Sequence, residues 1–114
     1  MTRATLPRAT RLRGAAQFTG AFQERYRSQH FLLLTRPGGS VQGGARLGIV
    51  IGRRQIARAV ERSRLRRIIR EAFRVRRHQL GNIDVVVKYR GGSGNRTRAK
   101  IRSELNELFG QAAA

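Results

Sequence analysis

A chain of 114 residues holds one domain with a modest core, and 25 Lys and Arg against six Asp and Glu give it a formal net charge of +19. Self-repulsion on that scale disfavours a compact state unless a polyanion neutralises it, which makes nucleic acid the first candidate partner and an anionic membrane the second. The absence of cysteine excludes a disulfide framework, a thiolate zinc site and a cysteine nucleophile and fits a reducing cytoplasm, while no run approaches the ~20 apolar residues that span a bilayer.

Residues 1–13 read as a flexible basic arm. A first helix is expected from Gly14 to about Tyr26, because Phe18 and Phe22 stand four residues apart and so share one helical face. His30-Phe31-Leu32-Leu33-Leu34-Thr35 is a compact apolar run closed by the turn signals Pro37-Gly38-Gly39, and reads as a strand. The stretch from Gly38 to Gly44 lacks the G-x-x-x-x-G-K-[ST] pattern of a phosphate loop and reads as a hairpin loop leading to a second strand, Arg46–Ile51.

A basic helix is expected from about Ile56 to His78. Between Arg53 and Arg77 stand eleven arginines, only two acids (Glu61 and Glu71), and no proline or glycine. At ~100° per residue Leu65, Ile68, Ile69, Ala72 and Phe73 fall within one arc, and Arg66, Arg67, Arg70 and Arg74 within another, so one side packs and the other is presented. Ile83–Tyr89 is β-branched and mostly apolar, the pattern of a buried strand. Gly91-Gly92-Ser93-Gly94-Asn95 breaks the chain. Thr97 is a candidate N-cap for a last helix whose stripe is Ile101, Leu105, Leu108 and Phe109; Gly110 is placed to stop it, and residues 111–114 read as a frayed tail. This order implies one sheet covered by helices, α+β or α/β, in a single domain over residues 1–114 without repeat or linker.

Twenty-three of the 25 basic residues are arginine. The planar guanidinium binds phosphate through two hydrogen bonds and stacks on bases, which lysine cannot do. Charge of one sign this dense is unlike an ordinary solvated face, where both signs intermingle. Polyanion binding is therefore the expected work of the basic helix. The acids Glu24, Glu61, Glu71, Asp84, Glu104 and Glu107 are scattered, and no pair forms a metal-ligating or acid–base pattern. Glu104 and Glu107 share a helical face and read as solvated; His30 and His78 lie at element ends with no carboxylate near them in sequence. No catalytic residue and no metal site is expected in the chain itself. Phe18 and Phe22 have two readings, core packing or an exposed edge that contacts an unpaired base.

Ala59 through Phe73, with Arg62-Ser63-Arg64-Leu65-Arg66-Arg67 at the centre and Arg70-Glu71-Ala72-Phe73 closing it, resembles the signature of the protein subunit of bacterial ribonuclease P. Pro7-Arg8, Arg11-Leu12, Gln17-Phe18, Phe22, Arg46-Leu47-Gly48-Ile49, Arg53-Arg54 and Asp84-Val85-Val86-Val87 extend the resemblance over most of the chain from Pro7 to Gly91. The resemblance implies an α+β fold, a four-stranded mixed sheet packed with helices and containing a left-handed β-α-β crossover, where ordinary connections are right-handed. The residues mark only three strands, so one more short strand, or a split, is expected in the region from Phe31 to Ile51.

In function the resemblance implies a small basic protein that joins a catalytic ribonuclease P RNA, as a monomer within a cytoplasmic ribonucleoprotein, and assists endonucleolytic removal of the 5′ leader from precursor tRNA. Catalysis is then expected in the RNA, with Mg2+ bound mainly there. Carried over by position, Arg53, Arg54, Arg58, Arg62, Ser63, Arg64, Arg66, Arg67 and Arg70 are implied to bind RNA, and Phe18, Phe22 and Leu34 to line a cleft for the leader. Two positions depart from the pattern: Ser63 replaces a common asparagine, losing an amide's paired donor and acceptor, and Leu34 stands where some members carry an aromatic. The rival reading is a ribosomal or RNA-chaperone protein with a similar basic surface.

Overall fold

The computed structural model describes residues 22–38, 44–91 and 97–113. Four strands, β1 (Gln23–Arg27), β2 (Phe31–Pro37), β3 (Arg46–Val50) and β4 (Ile83–Tyr89), form one sheet in the order β1-β2-β4-β3. β1/β2 and β2/β4 are antiparallel and β3/β4 parallel, so the sheet is mixed. The parallel pair is joined by a crossover through α1 (Ala59–Arg76), and α2 (Arg98–Ala113) follows β4.

Strand alternation gives the sheet two unlike faces. Phe31, Leu33, Leu47, Val85, Val87 and Tyr89 point to one side and form a single core with Leu65, Ile69 and Phe73 of α1 and Ile101, Leu105, Leu108 and Phe109 of α2. Phe73 and Phe109 meet edge to face, centroids 5.9 Å apart, where the two helices pack together. The register Leu32↔Lys88, Leu34↔Val86, Arg36↔Asp84↔Arg46 and Gly48↔Val86 lays a second set of side chains on the opposite face. No described helix covers that face.

The structure moves several boundaries. Gln23–Arg27 is strand, so the expected first helix cannot reach Tyr26; the missing fourth strand lies before Phe31, outside the expected window of Phe31–Ile51. β1 gains its structure from pairing with β2, and a bulge between Glu24 and Tyr26 turns Tyr26 toward the core. Ile56 belongs to the turn before α1, buried in the core, and the helix begins at Ala59 with Arg58 in extended conformation before it. A 3-10 turn, Arg77–Gln79, ends this segment beyond α1, and Gly81 at φ 75° redirects the chain into β4 as only glycine does without strain. Gly110 does not stop α2. The helix continues to Ala113, with Ala112 and Ala113 packed on the core, so residues 111–113 are not a frayed tail.

Candidate nucleic-acid interface

The basic segment begins in the turn after β3. Arg53 and Arg54 are exposed there, and the turn is closed by Gln55 N–H donating to Gly52 O and Gln55 Oε1 accepting from Gly52 N–H. Arg58 precedes the helix, its carbonyl accepting from the N–H groups of Glu61 and Arg62. Arg62 Nη1 donates to the carbonyls of Ile56 and Ala57 at 2.8 and 2.7 Å. That guanidinium therefore fixes the turn that carries Arg53 and Arg54.

Along α1 the buried stripe divides the arginines into two rows. Arg62, Arg66 and Arg70 recur every four residues and are half-buried, on the flank turned away from α2. Arg64 and Arg67 are exposed on the other side, beside the start of α2, and Ser63 lies exposed on the outer surface. The sequence-expected RNA-binding residues thus share one helix and its leading turn, but not one face.

On the sheet face opposite the helices, a line of charged and aromatic groups crosses three adjacent strands. Asp84 of β4 is fully buried; Arg46 of β3 grips it with both Nε (2.8 Å) and Nη2 (2.8 Å), and Arg36 of β2 donates from Nε at 2.9 Å. The Arg36 guanidinium lies 4.3 Å from the centroid of the Phe22 ring, a cation–π contact. Burial alone would raise the Asp84 carboxyl, yet the hydrogen bonds from Arg46 and Arg36 outweigh it and hold it below its ordinary range; the same pairing raises Arg46. Leu34 sits half-buried on this face opposite Val86. Phe18 lies outside the described residues.

Sequence reasoning missed Arg36, Arg46 and Asp84 as a unit. The partners are 48 and 38 residues apart in sequence, and only strand register brings them together. It also misjudged Glu104, which is not solvated. Glu104 is buried and accepts from Ser28 Oγ at 2.6 Å and His30 N–H at 2.9 Å, and lies 2.6 Å from His30 Nδ1, so His30 has a carboxylate partner after all. Burial would raise the Glu104 carboxyl, but hydrogen bonds from Ser28 and His30 prevail and lower it. Glu107 is exposed as expected. Among the described residues no three His, Asp or Glu side chains gather as a metal-binding group, and no helix is long and apolar enough to cross a membrane.

Comparison with known proteins agrees with this architecture. The family model for ribonuclease P matches residues 6–113. The "Ribonuclease P protein component" of Paraburkholderia xenovorans is 38% identical, over 96% of this chain and 85% of that protein; that of Bordetella avium is 35% identical over 99% of both. Among solved structures, the ribonuclease P protein of Staphylococcus aureus superposes with a TM-score of 0.76 at 24% identity, covering 92% of this chain and 96% of that one. That of Thermotoga maritima gives 0.61 at 25% identity over 79% and 83%.

Proposed function

This chain belongs to the ribonuclease P protein family, and from that premise we propose that it holds the 5′ leader of precursor tRNA on the face of its sheet opposite the described helices. As a member of that family it is part of a ribonucleoprotein that processes tRNA 5′ ends.

The single observation that carries it is the Phe22–Arg36–Asp84–Arg46 line. Two guanidiniums held at fixed positions, one positive charge in excess of the Asp84 carboxylate they share, attract a phosphate chain without choosing a sequence, and Phe22, Leu32 and Leu34 offer contacts that any base can use. A leader of variable sequence needs that combination. The buried carboxylate serves to orient its arginines, for an aligned donor loses less side-chain entropy on binding than a free one. The arginine rows of α1, with Arg53, Arg54 and Arg58 at its head, engage the catalytic RNA.

We assign the bond breaking to the RNA and to magnesium bound there. The carboxylates of the described residues do not form a donor set for such an ion: both oxygens of Asp84 are held by arginines, and Glu104 is held by Ser28 and His30. This chain contributes binding energy and charge neutralisation.

The test is reconstitution with a ribonuclease P RNA and measurement of Kd for precursor and mature tRNA. Phe22→Ala and Leu34→Glu are each expected to weaken precursor binding by about tenfold, the scale of one base-stacking interaction, and to leave mature tRNA unaffected. Equal losses for the two substrates would remove the leader assignment. A general RNA chaperone, the rival reading, lacks selectivity for the leader-bearing substrate and fails the same test.

A further inference from the structure

On the helix side of the sheet, away from Phe22 and Leu34, the first turns of α1 and α2 enclose a cleft of about 720 Å³, within the ~300–1,000 Å³ typical of small-ligand sites. Its floor is apolar, formed by Leu65, Ile68 and Ile101 with the buried Tyr89 beneath. Its rim is cationic. Arg64 and Arg67 come from α1 and Arg98 from the start of α2, against one carboxylate, Glu61. All three arginines are exposed, and none has a hydrogen-bond or ion-pair partner among the described residues.

We propose that this cleft receives a single unpaired nucleotide of the catalytic RNA, its base on the apolar floor and its phosphate on the three guanidiniums. The inference rests on the ribonucleoprotein role proposed above and narrows the catalytic-RNA contact of Arg64 and Arg67 to one cleft and one kind of nucleotide. A cationic rim alone would suit any phosphate backbone, and an apolar floor alone would suit any hydrophobic segment. A planar base joined to an anionic phosphate requires both within one concavity. A paired nucleotide cannot enter, because its faces are stacked and its edge is occupied by its partner. The occupant comes from the catalytic RNA and not from the leader, since the surface assigned to the leader is on the other side of the sheet. Arg98 is the new element here: nothing in the signature of the basic helix marks it.

Two measurements test the site. The isotope-labelled full chain is titrated with AMP and, separately, with inorganic phosphate, and amide shifts are followed. AMP is expected to move the amides of residues 64–68 and 97–101, to bind about tenfold more tightly than phosphate, and to lose about fivefold in affinity in Arg98→Ala. Equal affinity for the two probes overturns the proposal, as do shifts confined to β2 and β4 or an unchanged affinity in the variant. Because the chain lacks cysteine, Ala99→Cys, exposed beside Arg98, can carry a photocrosslinker in the reconstituted complex. Crosslinks are expected at an unpaired nucleotide of the catalytic RNA. Crosslinks to the leader, or to paired segments alone, overturn the site while leaving the ribonucleoprotein role intact. Failure of the unmodified chain to join the catalytic RNA would instead remove the role on which the site rests.

Discussion

Asp84 shows how one residue links folding to binding. Its carboxylate is buried on a face that is otherwise positive, and it survives there because three guanidinium hydrogen bonds replace the water it lost. Asp84→Ala leaves Arg36 and Arg46 facing each other uncompensated, with an expected loss of about 3 kcal/mol in urea unfolding. Asp84 is held below its ordinary value of 3.8 in the folded state, so its contribution is fully present above that value and is lost as pH falls through the lower, folded-state value. Wild type should therefore lose stability on acidification below the ordinary carboxylate range, and Asp84→Asn should flatten that part of the profile. An unchanged profile in the variant would refute the assignment. Arg62 is a second case in which a basic residue has a task inside the fold. Its Nη1 bonds to the Ile56 and Ala57 carbonyls predict that Arg62→Ala costs about 1–2 kcal/mol, whereas exposed Arg67→Ala stays within ~0.5 kcal/mol. Comparable losses in the two variants would show the Arg62 bonds to be inert.

At the scale of the element, the end of β1–β2 is tied to α2 by Glu104. Three donors converge on it, from Ser28 Oγ, His30 N–H and the His30 ring, and His30 lies parallel to Tyr89 at 6.4 Å. Removing the carboxylate strands those groups in the interior, so Glu104→Ala should cost about 3 kcal/mol and speed hydrogen exchange in α2 before the β2–β4 ladder. Simultaneous loss of protection in both would mean that α2 is not a separately tethered unit. The same tether marks the border of what is legible in the sequence. Period and composition reveal β2, β3, β4, the apolar stripe of α1 and the stripe of α2, because each buries a regular face. β1 is not legible: Gln-Glu-Arg-Tyr-Arg has no apolar alternation and becomes a strand only through its partner. Glu104 reads as solvated in sequence because its partners lie 74 and 76 residues away. Gly110 reads as a stop, but the alanines after it favour helix and their packing on the core outweighs one glycine. The arginine signature is plain in sequence, while its division into two rows and the sheet-face line require the folded register.

For the whole molecule the governing quantity is the formal charge of +19 carried by only 114 residues. Folding gathers guanidiniums that the unfolded chain keeps apart, so the folded state is penalised by repulsion and is the state that polyanions prefer. Two consequences should appear together in one thermal-melt series. Added sodium chloride screens the repulsion without occupying a site, and its effect should grow smoothly with ionic strength. Millimolar pyrophosphate, at matched ionic strength, should raise Tm further, because an anion that binds the folded state and not the unfolded one adds stability by mass action, about 2.7 kcal/mol at a hundred times its Kd. Replacing Arg66 and Arg70 together by Ala should remove part of the pyrophosphate effect, and the salt dependence of RNA affinity should become shallower by ~0.7–0.9 for each phosphate that is no longer neutralised. Identical melts in pyrophosphate and chloride would mean that the arginines act only as a diffuse charge cloud, for a surface of built phosphate sites must tell a multivalent anion from its ionic strength.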